Sequence, residues 1–233
     1  MKIAMVASES NPFVKTGGLA DVVYALSKQM ASNGEEVAIF LPLFNCVRNK
    51  LESPRVVGNC TVYLSWRRET SDIYLQEKDG ISFYFIENRH YFERDNIYGY
   101  DDDGERFAFF SQAAIEAMKI VNFTPDIVHV HDWQVAMIPC LCKERKDPFF
   151  SYTRYVLSIH NPAFQGIIFR ESLGDLYNLP SSLYDSGVLR FGEVVSTLKA
   201  GIMYADKITT VSPTHREELL TTEGSMGLSA TLQ

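Results

Sequence analysis

Apolar residues recur along the first forty positions with two different periods. Residues 2–7 form a mainly apolar run typical of a buried strand, and residues 19–32 place apolar side chains at the three- and four-residue spacing of a helix. Asn33 and Gly34 then give a helix stop, and residues 36–41 form a second apolar strand that Pro42 closes. This order predicts a strand–helix–strand unit with a right-handed crossover between parallel strands.

The pattern becomes extended in the next part of the chain. Three strands are predicted at residues 56–66, 73–78 and 81–86, and the Asp79-Gly80 pair between the last two is a strong hairpin turn. We interpret them as an antiparallel insertion at an edge of the sheet. An aromatic and polar loop follows at residues 88–103, and a loop of this length is either functional or a structured surface excursion.

Strands and helices alternate again in the second half. The predicted elements are a helix at 105–121, a strand at 126–130, a helix beginning near Asp132 or Trp133, a strand at 154–159, a helix at 193–205, a strand at 207–211 and a helix capped by Ser212-Pro213. This alternation predicts an α/β fold with a Rossmann-like, doubly wound, mostly parallel sheet. Residues 223–233 follow neither period, which fits either a frayed terminus or the beginning of a connection.

Composition and charge narrow the function classes. The chain has 233 residues, of which 46% are hydrophobic, enough for one large domain with a sizeable core. A net charge of −7 and the lack of a basic run argue against a nucleic-acid partner and favour a neutral or small anionic ligand. The strand predicted from residue 2 leaves no room for a leader peptide, and no apolar run is long enough to cross a membrane, so we expect a cytoplasmic protein.

The cysteines fit the same compartment. Cys140 and Cys142 lie two positions apart in a helical pattern and therefore point away from each other, while Cys46 and Cys60 are isolated. We expect reduced, mostly buried thiols, as in a reducing compartment.

The loop after the first strand is a candidate anion site. It places Lys15 and the pair Gly17-Gly18 between a strand and the N-terminus of a helix, where backbone N–H groups are free to bind an anion. The loop has neither the G-x-G-x-x-G order of dinucleotide-binding proteins nor the order of an NTPase phosphate loop. A tight turn with a surface lysine explains the same residues equally well.

Polar residues also follow two later strands. Asp132 comes after a strand that carries His129 and His131 on one side, and His160 comes after the next strand. A metal pair of the two histidines lacks an evident third ligand. His160 either contacts a ligand or braces the turn at Pro162. Since parallel strands open at one edge of a sheet, we expect Lys15, Asp132 and His160 to converge there.

Several segments resemble, in order, the glycogen synthase and starch synthase family. They are K-T-G-G-L-A-D-V-V, L-P-L-F, Y-G-Y-D-D-D-G-E-R-F, H-V-H-D-W-Q, S-I-H-N-P-A-F-Q-G, T-V-S-P-T and E-G-S-M-G-L. The resemblance covers nearly the whole chain and implies the N-terminal, acceptor-side half of a GT-B glycosyltransferase. Such an enzyme transfers glucose with retention from a nucleotide sugar, ADP-glucose or UDP-glucose, to the nonreducing end of an α-1,4-glucan.

The resemblance also implies roles for individual residues. Lys15 matches a ligand of the donor phosphates, with the backbone of Gly17 and Gly18 close to them. The residues that match the lining of the sugar and acceptor cleft are Asp132, Trp133, His160 and Asn161, with Tyr98 as an acceptor-side aromatic. His160 and Asp132 are the catalytic candidates, and no metal or other cofactor is implied. Asp21 either caps the helix, braces the loop or contacts the ligand.

A domain expectation follows from the same resemblance. Residues 1–212 match the Rossmann-like N-terminal catalytic domain, and residues 213–233 match the start of a connection to a C-terminal nucleotide-binding domain missing from this chain. We therefore expect the chain to be inactive alone. The alternative is a non-catalytic glucan-binding or regulatory module derived from such an enzyme. A stand-alone Rossmann oxidoreductase is disfavoured because the glycine fingerprint is missing.

Overall fold

A computed structural model describes residues 1–233. The strands are β1 (Lys2–Val6), β2 (Glu36–Pro42), β3 (Arg55–Leu64), β4 (Arg67–Lys78), β5 (Ile81–Ile86), β6 (Ile127–His131), β7 (Arg154–Ile159), β8 (Ile167–Ile168), β9 (Arg190–Phe191), β10 (Val194–Ser196) and β11 (Lys207–Thr210). The helices are α1 (Gly18–Ser32), α2 (Asn45–Arg48), α3 (Arg89–Phe92), α4 (Asp103–Ile120), α5 (Met137–Arg145), α6 (Ser172–Tyr177), α7 (Ser182–Asp185), α8 (Thr197–Tyr204), α9 (Pro213–Leu219) and α10 (Ser229–Leu232).

Eight strands form one sheet in the order β11-β7-β6-β1-β2-β5-β4-β3. Every adjacent pair from β11 to β5 is parallel, whereas β4 pairs antiparallel with both β5 and the edge strand β3. The predicted mostly parallel, Rossmann-like sheet with an antiparallel hairpin insertion is thus confirmed. The insertion is smaller than expected, because β5 pairs in parallel with β2 and belongs to the main sheet.

The central strands are covered on both faces. Ile3, Ala4, Met5 and Val6 are all buried although alternate side chains of a strand point to opposite sides of the sheet. Helices α1 and α4 pack against this sheet. Burial on both faces is why the strands appear in the sequence as continuous apolar runs.

Two predicted helices begin later than expected. After β6 the chain turns through residues 132–136, where Asp132 has a left-handed backbone (φ 59°), and α5 begins at Met137. The Val135 and Ala136 N–H groups bond to carbonyls three residues back (both 3.4 Å) and not four, so this segment is a run of turns. Residues 194–196 form β10 in a second sheet of order β8-β10-β9, so α8 begins only at Thr197, where the Ser196 side chain caps it. The β-branched pair Val194-Val195 is typical of a strand.

The C-terminal residues are packed. Leu228 and Ser225 are buried, and the Gln165 side chain donates a hydrogen bond to the carbonyl oxygen of Met226 (2.9 Å). A frayed terminus is therefore the wrong interpretation of residues 223–233. The division of the chain at residue 212 stays a prediction.

All four cysteine thiols are free, and three of them are buried as expected. Burial raises the pKa of Cys60 to about 11 and those of Cys140 and Cys142 to about 12, whereas Cys46 is exposed. The three buried thiols are therefore protonated at neutral pH and unreactive. None of the helices is long and apolar enough to pass through a lipid bilayer.

Candidate functional site

A cavity of about 910 Å³ opens at the carboxyl ends of β1, β6 and β7. Seven of the eight site residues predicted from the sequence line it: Gly17, Gly18, Tyr98, Asp132, Trp133, His160 and Asn161. The parallel strands bring these side chains together because their carboxyl ends share one edge of the sheet. The strand-end convergence expected for Asp132 and His160 is therefore present.

Lys15 is the exception, since it does not line the cavity. Its Nζ lies 2.7 Å from a carboxylate oxygen of Asp21, and both side chains are about half exposed (49% and 50%). Asp21 also accepts a hydrogen bond from the Asn11 side chain. In this arrangement Asp21 braces the loop, and its pKa is lowered by the hydrogen bond from Lys15.

The glycine pair forms the N-terminus of α1. Gly17 caps the helix without any side-chain hydrogen bond to the free N–H groups of the first turn. Neither glycine has a positive φ, and a Cβ atom added at either would meet no atom within 4 Å. The packing of the chain itself therefore does not require glycine at these positions.

Glu9 is a cavity residue that the sequence reasoning missed. It is only 3% exposed, and its carboxylate accepts hydrogen bonds from the Thr16 hydroxyl (2.7 Å), the Thr16 backbone N–H and the Tyr98 hydroxyl (2.7 Å). Burial and the charge of Glu9 raise the pKa of Tyr98 well above its ordinary value. Glu9 thus joins the glycine loop to the loop that carries Tyr98. Its signal in the sequence is a carboxylate three positions after the last residue of β1, Val6.

A buried arginine holds the loop that carries Tyr98. The Arg106 guanidinium donates to the backbone carbonyls of Tyr91 (2.7 Å) and Ile97 (3.2 Å) and to the Asp103 carboxylate (2.5 Å). Asp103 in turn accepts from the Gly99 backbone N–H (2.8 Å). The predicted long loop at 88–103 is therefore a structured segment, and it presents Tyr98 to the cavity.

Asp132 is buried at the end of β6 and is 7% exposed. Its Oδ1 accepts hydrogen bonds from the backbone N–H groups of His160 (2.7 Å) and Asn161 (3.4 Å). Burial raises the pKa of Asp132 to about 7, although the two N–H groups act in the opposite direction. Asp132 therefore ties the end of β6 to the residues after β7 and titrates near neutral pH.

Three histidines follow one another from the interior to the cavity: His129 and His131 are buried behind it, and the half-buried His160 lines it. His129 and His131 stack with ring centroids 4.3 Å apart, which confirms that they share one side of β6. His131 Nδ1 lies 3.0 Å from His160 Nε2, and His129 Nε2 lies 2.7 Å from the Ser158 hydroxyl. Burial lowers the pKa of His129 and of His160 to about 4 and that of His131 well below its ordinary value. All three rings are therefore neutral at pH 7.

These contacts bear on two alternatives from the sequence. The only side-chain hydrogen bond of His160 goes to His131, so its ring does not brace the turn at Pro162; there Asn161 Oδ1 accepts from the Ala163 N–H (3.0 Å). No group of three His, Cys, Asp or Glu side chains is placed to hold a metal ion.

Trp133 is fixed from two sides. Its ring packs edge-on against Phe107 (centroids 5.2 Å apart), and its carbonyl oxygen accepts from the Thr197 hydroxyl (3.0 Å). Gly166 (φ 61°) approaches so closely that a Cβ atom there would lie 2.5 Å from Trp133 Cε3. Gln134 and Phe164 also line the cavity beside Trp133, and neither was predicted from the sequence.

The charge of the cavity wall is negative. It contains the carboxyl groups of Glu9, Asp103 and Asp132 and no lysine or arginine side chain. Carboxylates, amides and aromatic rings suit a ligand rich in hydroxyl groups, because each hydroxyl both donates and accepts hydrogen bonds.

Comparison with known proteins gives concordant matches. Residues 2–233 match the family model described as the starch synthase catalytic domain. The glycogen synthase of Bacillus subtilis (strain 168) is 46% identical over 224 residues, covering 95% of this chain and 46% of the relative. That of Streptococcus pneumoniae (strain 70585) is 44% identical over 236 residues, covering 100% of this chain and 50% of the relative.

A solved structure matches as well. It is the catalytic domain of starch synthase IV from Arabidopsis thaliana bound to ADP and acarbose, with 32% sequence identity and a TM-score of 0.90. The match covers 99% of this chain and 48% of that one. The chain thus spans about half the length of the curated relatives and of the solved structure that it matches.

Proposed function

Because the chain belongs to the glycogen synthase and starch synthase family, we propose that it forms one wall of a glucosyltransferase active site. The proposed reaction transfers glucose from ADP-glucose to the nonreducing end of an α-1,4-glucan with retention of configuration. UDP-glucose is the alternative donor. The expected setting is the cytoplasm.

One observation carries the proposal. Seven residues that match the family's substrate-binding blocks line a single cavity at the strand ends, although they come from four separate parts of the chain. The neighbouring starch synthase IV structure holds ADP and acarbose, so we expect a nucleotide and a glucan to be the ligands of this cavity also.

The glycine loop is the proposed place of the donor diphosphate. The open space at Gly17 and Gly18 admits a ligand to the backbone, and the N-terminus of the 15-residue helix α1 favours negative charge. Lys15 reaches a phosphate only if its ion pair with Asp21 opens, which is easy because exposed ion pairs contribute about 0–1 kcal/mol. Stabilising the departing diphosphate is the largest electrostatic demand of this reaction.

The sugar is proposed to lie against Asp132, Trp133 and His160. A neutral His160 ring can donate a hydrogen bond to a sugar hydroxyl, while Asp132 fixes the backbone of His160. Asn161 and Tyr98 line the same cavity and offer further hydrogen-bonding or stacking contacts to the glucan.

Glucan binding without transfer is the second candidate function. The negative cavity wall favours it, because no cationic side chain in it can offset a leaving diphosphate.

We propose that the cations needed for transfer come from a C-terminal nucleotide-binding domain, as the family resemblance implies. The 233-residue chain then binds glucan but does not elongate it.

Glucan elongation from ADP-glucose tests both candidates. The chain is assayed alone and joined to the remaining half of the Bacillus subtilis glycogen synthase. We expect transfer only from the joined protein. Elongation by the chain alone would refute the proposed need for a C-terminal domain. A joined protein that folds but does not transfer glucose would favour the glucan-binding module.

Lys15→Ala in the joined protein tests the phosphate role. Losing one charge-assisted hydrogen bond is worth about 1.5–3 kcal/mol, or a loss of roughly 10- to 150-fold in kcat/KM. Lys28→Ala is the matched control, since Lys28 is another exposed lysine on this part of the chain that is paired with an aspartate, Asp79. Equal kinetics in the two variants would return Lys15 to the surface-lysine interpretation.

A further inference from the structure

His131 lies behind the cavity and does not line it. Its ring is fully buried, and its Nδ1 lies 3.0 Å from His160 Nε2. Its other nitrogen, Nε2, is buried and has no hydrogen-bond partner. Only His160 therefore makes a hydrogen bond to this ring.

The unpaired nitrogen decides where the proton lies. A neutral imidazole carries one N–H and one lone pair. If the proton were on His131 Nε2, a buried N–H would be left without an acceptor, which is rarer in proteins than an acceptor that lacks a donor. The proton therefore lies on Nδ1 of His131, and this N–H donates to His160 Nε2.

The orientation of His160 follows from that bond. Because His160 Nε2 accepts, the proton of a neutral His160 ring must lie on Nδ1. His160 Nδ1 has no hydrogen bond within the chain and is not among the buried unpaired atoms, so it is the nitrogen open to the cavity.

We infer that His131 is a positioning residue that holds the proton of His160 on Nδ1, so that His160 presents an N–H donor to a hydroxyl oxygen of the ligand. Only the identity of the ligand as a sugar rests on the proposed function. The proton assignment rests on the three histidine nitrogens alone.

Neighbouring groups are consistent with this role. His129 stacks on the His131 ring, and its own Nε2 is engaged with Ser158, so it does not compete for the His131 proton. The backbone N–H of His160 is held by Asp132 (2.7 Å), which fixes the start of the side chain. The ring of His160 is therefore held at both ends.

Nitrogen-15 NMR of the unmodified chain tests the proton assignment directly. Long-range proton–nitrogen correlations at pH 7.5, about one unit above the ordinary histidine pKa, show which ring nitrogen carries the proton. We expect the Nδ1–H form for both His131 and His160, and an averaged mixture for the exposed His90, which serves as the internal control. A proton on His160 Nε2, or an averaged mixture at His160, would overturn the inference.

A pair of variants tests whether His131 is the cause. His131→Phe keeps an aromatic ring beside His129 but removes the donor, so we expect His160 to change to the averaged mixture seen for His90. His129→Phe is the control, because His129 stacks on His131 without bonding to His160; there His160 should keep the Nδ1–H form. A His160 that stays Nδ1–H in folded His131→Phe refutes the role of His131. If that variant does not fold, the spectrum of the unmodified chain still decides whether His131 and His160 both carry their protons on Nδ1, as the inference requires.

Acarbose titration separates this inference from the proposed function. We expect acarbose to bind the chain and the affinity to fall roughly 2- to 10-fold in His131→Phe, as for one neutral hydrogen bond, with the affinity of His129→Phe unchanged. Acarbose binding together with an Nε2–H form of His160 would overturn the positioning role and leave the proposed function standing. An Nδ1–H form without acarbose binding would support the positioning role and count against the glucan site.

Discussion

At the scale of single residues, Asp132 combines three features that rarely occur together. It has a left-handed backbone, it is buried, and its carboxylate accepts two backbone N–H groups while its pKa rises to about 7. Aspartate and asparagine tolerate a left-handed backbone better than most residues. The cost of this arrangement is therefore the buried charge.

Asp132→Asn should stabilise the chain at high pH. The folded-state pKa of Asp132 lies above the unfolded value of about 3.9. The destabilisation caused by its ionisation therefore grows as the pH rises from about 4 to 7 and stays at its maximum above pH 7. Compared with the unmodified chain, we expect the free energy of unfolding of Asp132→Asn to be higher by up to about 4 kcal/mol at pH 8 and little changed at pH 4. Urea unfolding at the two pH values measures this.

Asp132→Ala is the companion variant. It also removes the charge, but it lacks both the acceptor oxygen and the tolerance for a left-handed backbone. We expect it to be less stable than Asp132→Asn by about 1–3 kcal/mol at either pH. An asparagine variant less stable than the unmodified chain at pH 8 would contradict the assigned cost of the buried charge.

At the scale of elements, the connection between β6 and α5 is held by the segment that precedes β8. Gly166 (φ 61°) lies against this connection, and a Cβ atom there would come within 2.0 Å of Thr197 Oγ1 and 2.5 Å of Trp133 Cε3. Gly192 has the same φ of 61° but open space around it. Comparing alanine variants of the two glycines therefore separates the cost of close packing, present only at Gly166, from the cost of the left-handed backbone, present at both.

Gly166→Ala should be strongly destabilising. The left-handed backbone costs about 1–2 kcal/mol for a residue with Cβ, and overpacking adds about 1–3 kcal/mol. Gly192→Ala should be destabilised only by the cost of the left-handed backbone, about 1–2 kcal/mol. We expect the free energies of unfolding from urea denaturation to differ by about 1–3 kcal/mol between the two variants. Equal values would show that the Trp133 contact yields without cost.

At the scale of the whole molecule, the three histidines on and after β6 and β7 make the fold sensitive to acid. The folded-state pKa values of His129, His131 and His160 lie below the unfolded value of about 6.5, so their stabilising effect is lost as the pH falls through the window from about 6.5 to 4. Asp132 acts in the opposite direction in the same window. Three histidines against one carboxyl leave a net uptake of about two protons on unfolding near pH 5.

We therefore expect the free energy of unfolding to fall by about 2–3 kcal/mol per pH unit around pH 5. Urea titrations between pH 7 and 4.5 give this slope. In His129→Phe it should become smaller by about one proton, or about 1.4 kcal/mol per unit. A stability that stays flat over this range would show that the histidines become protonated within the folded chain.

The sequence by itself determined the main sheet and seven of the sixteen residues that line the cavity. The strands β1, β2 and β7 could be placed to within about a residue, because burial on both faces requires a continuous apolar run. The Asp79-Gly80 turn and the Ser212 cap were also predictable, since both depend on residues adjacent in the chain. Asp132 and His160 followed from the rule that parallel strands open at one edge.

Only the tertiary structure decided how the site is held together. The hydrogen bond between Glu9 and Tyr98 joins residues 89 positions apart, and that between His131 and His160 joins residues 29 positions apart. The strand β10 depends equally on how segments meet, since it pairs with β8. Local sequence patterns record which side chains must be buried, but a hydrogen-bond partner is selected by distance in the folded chain, which those patterns do not contain.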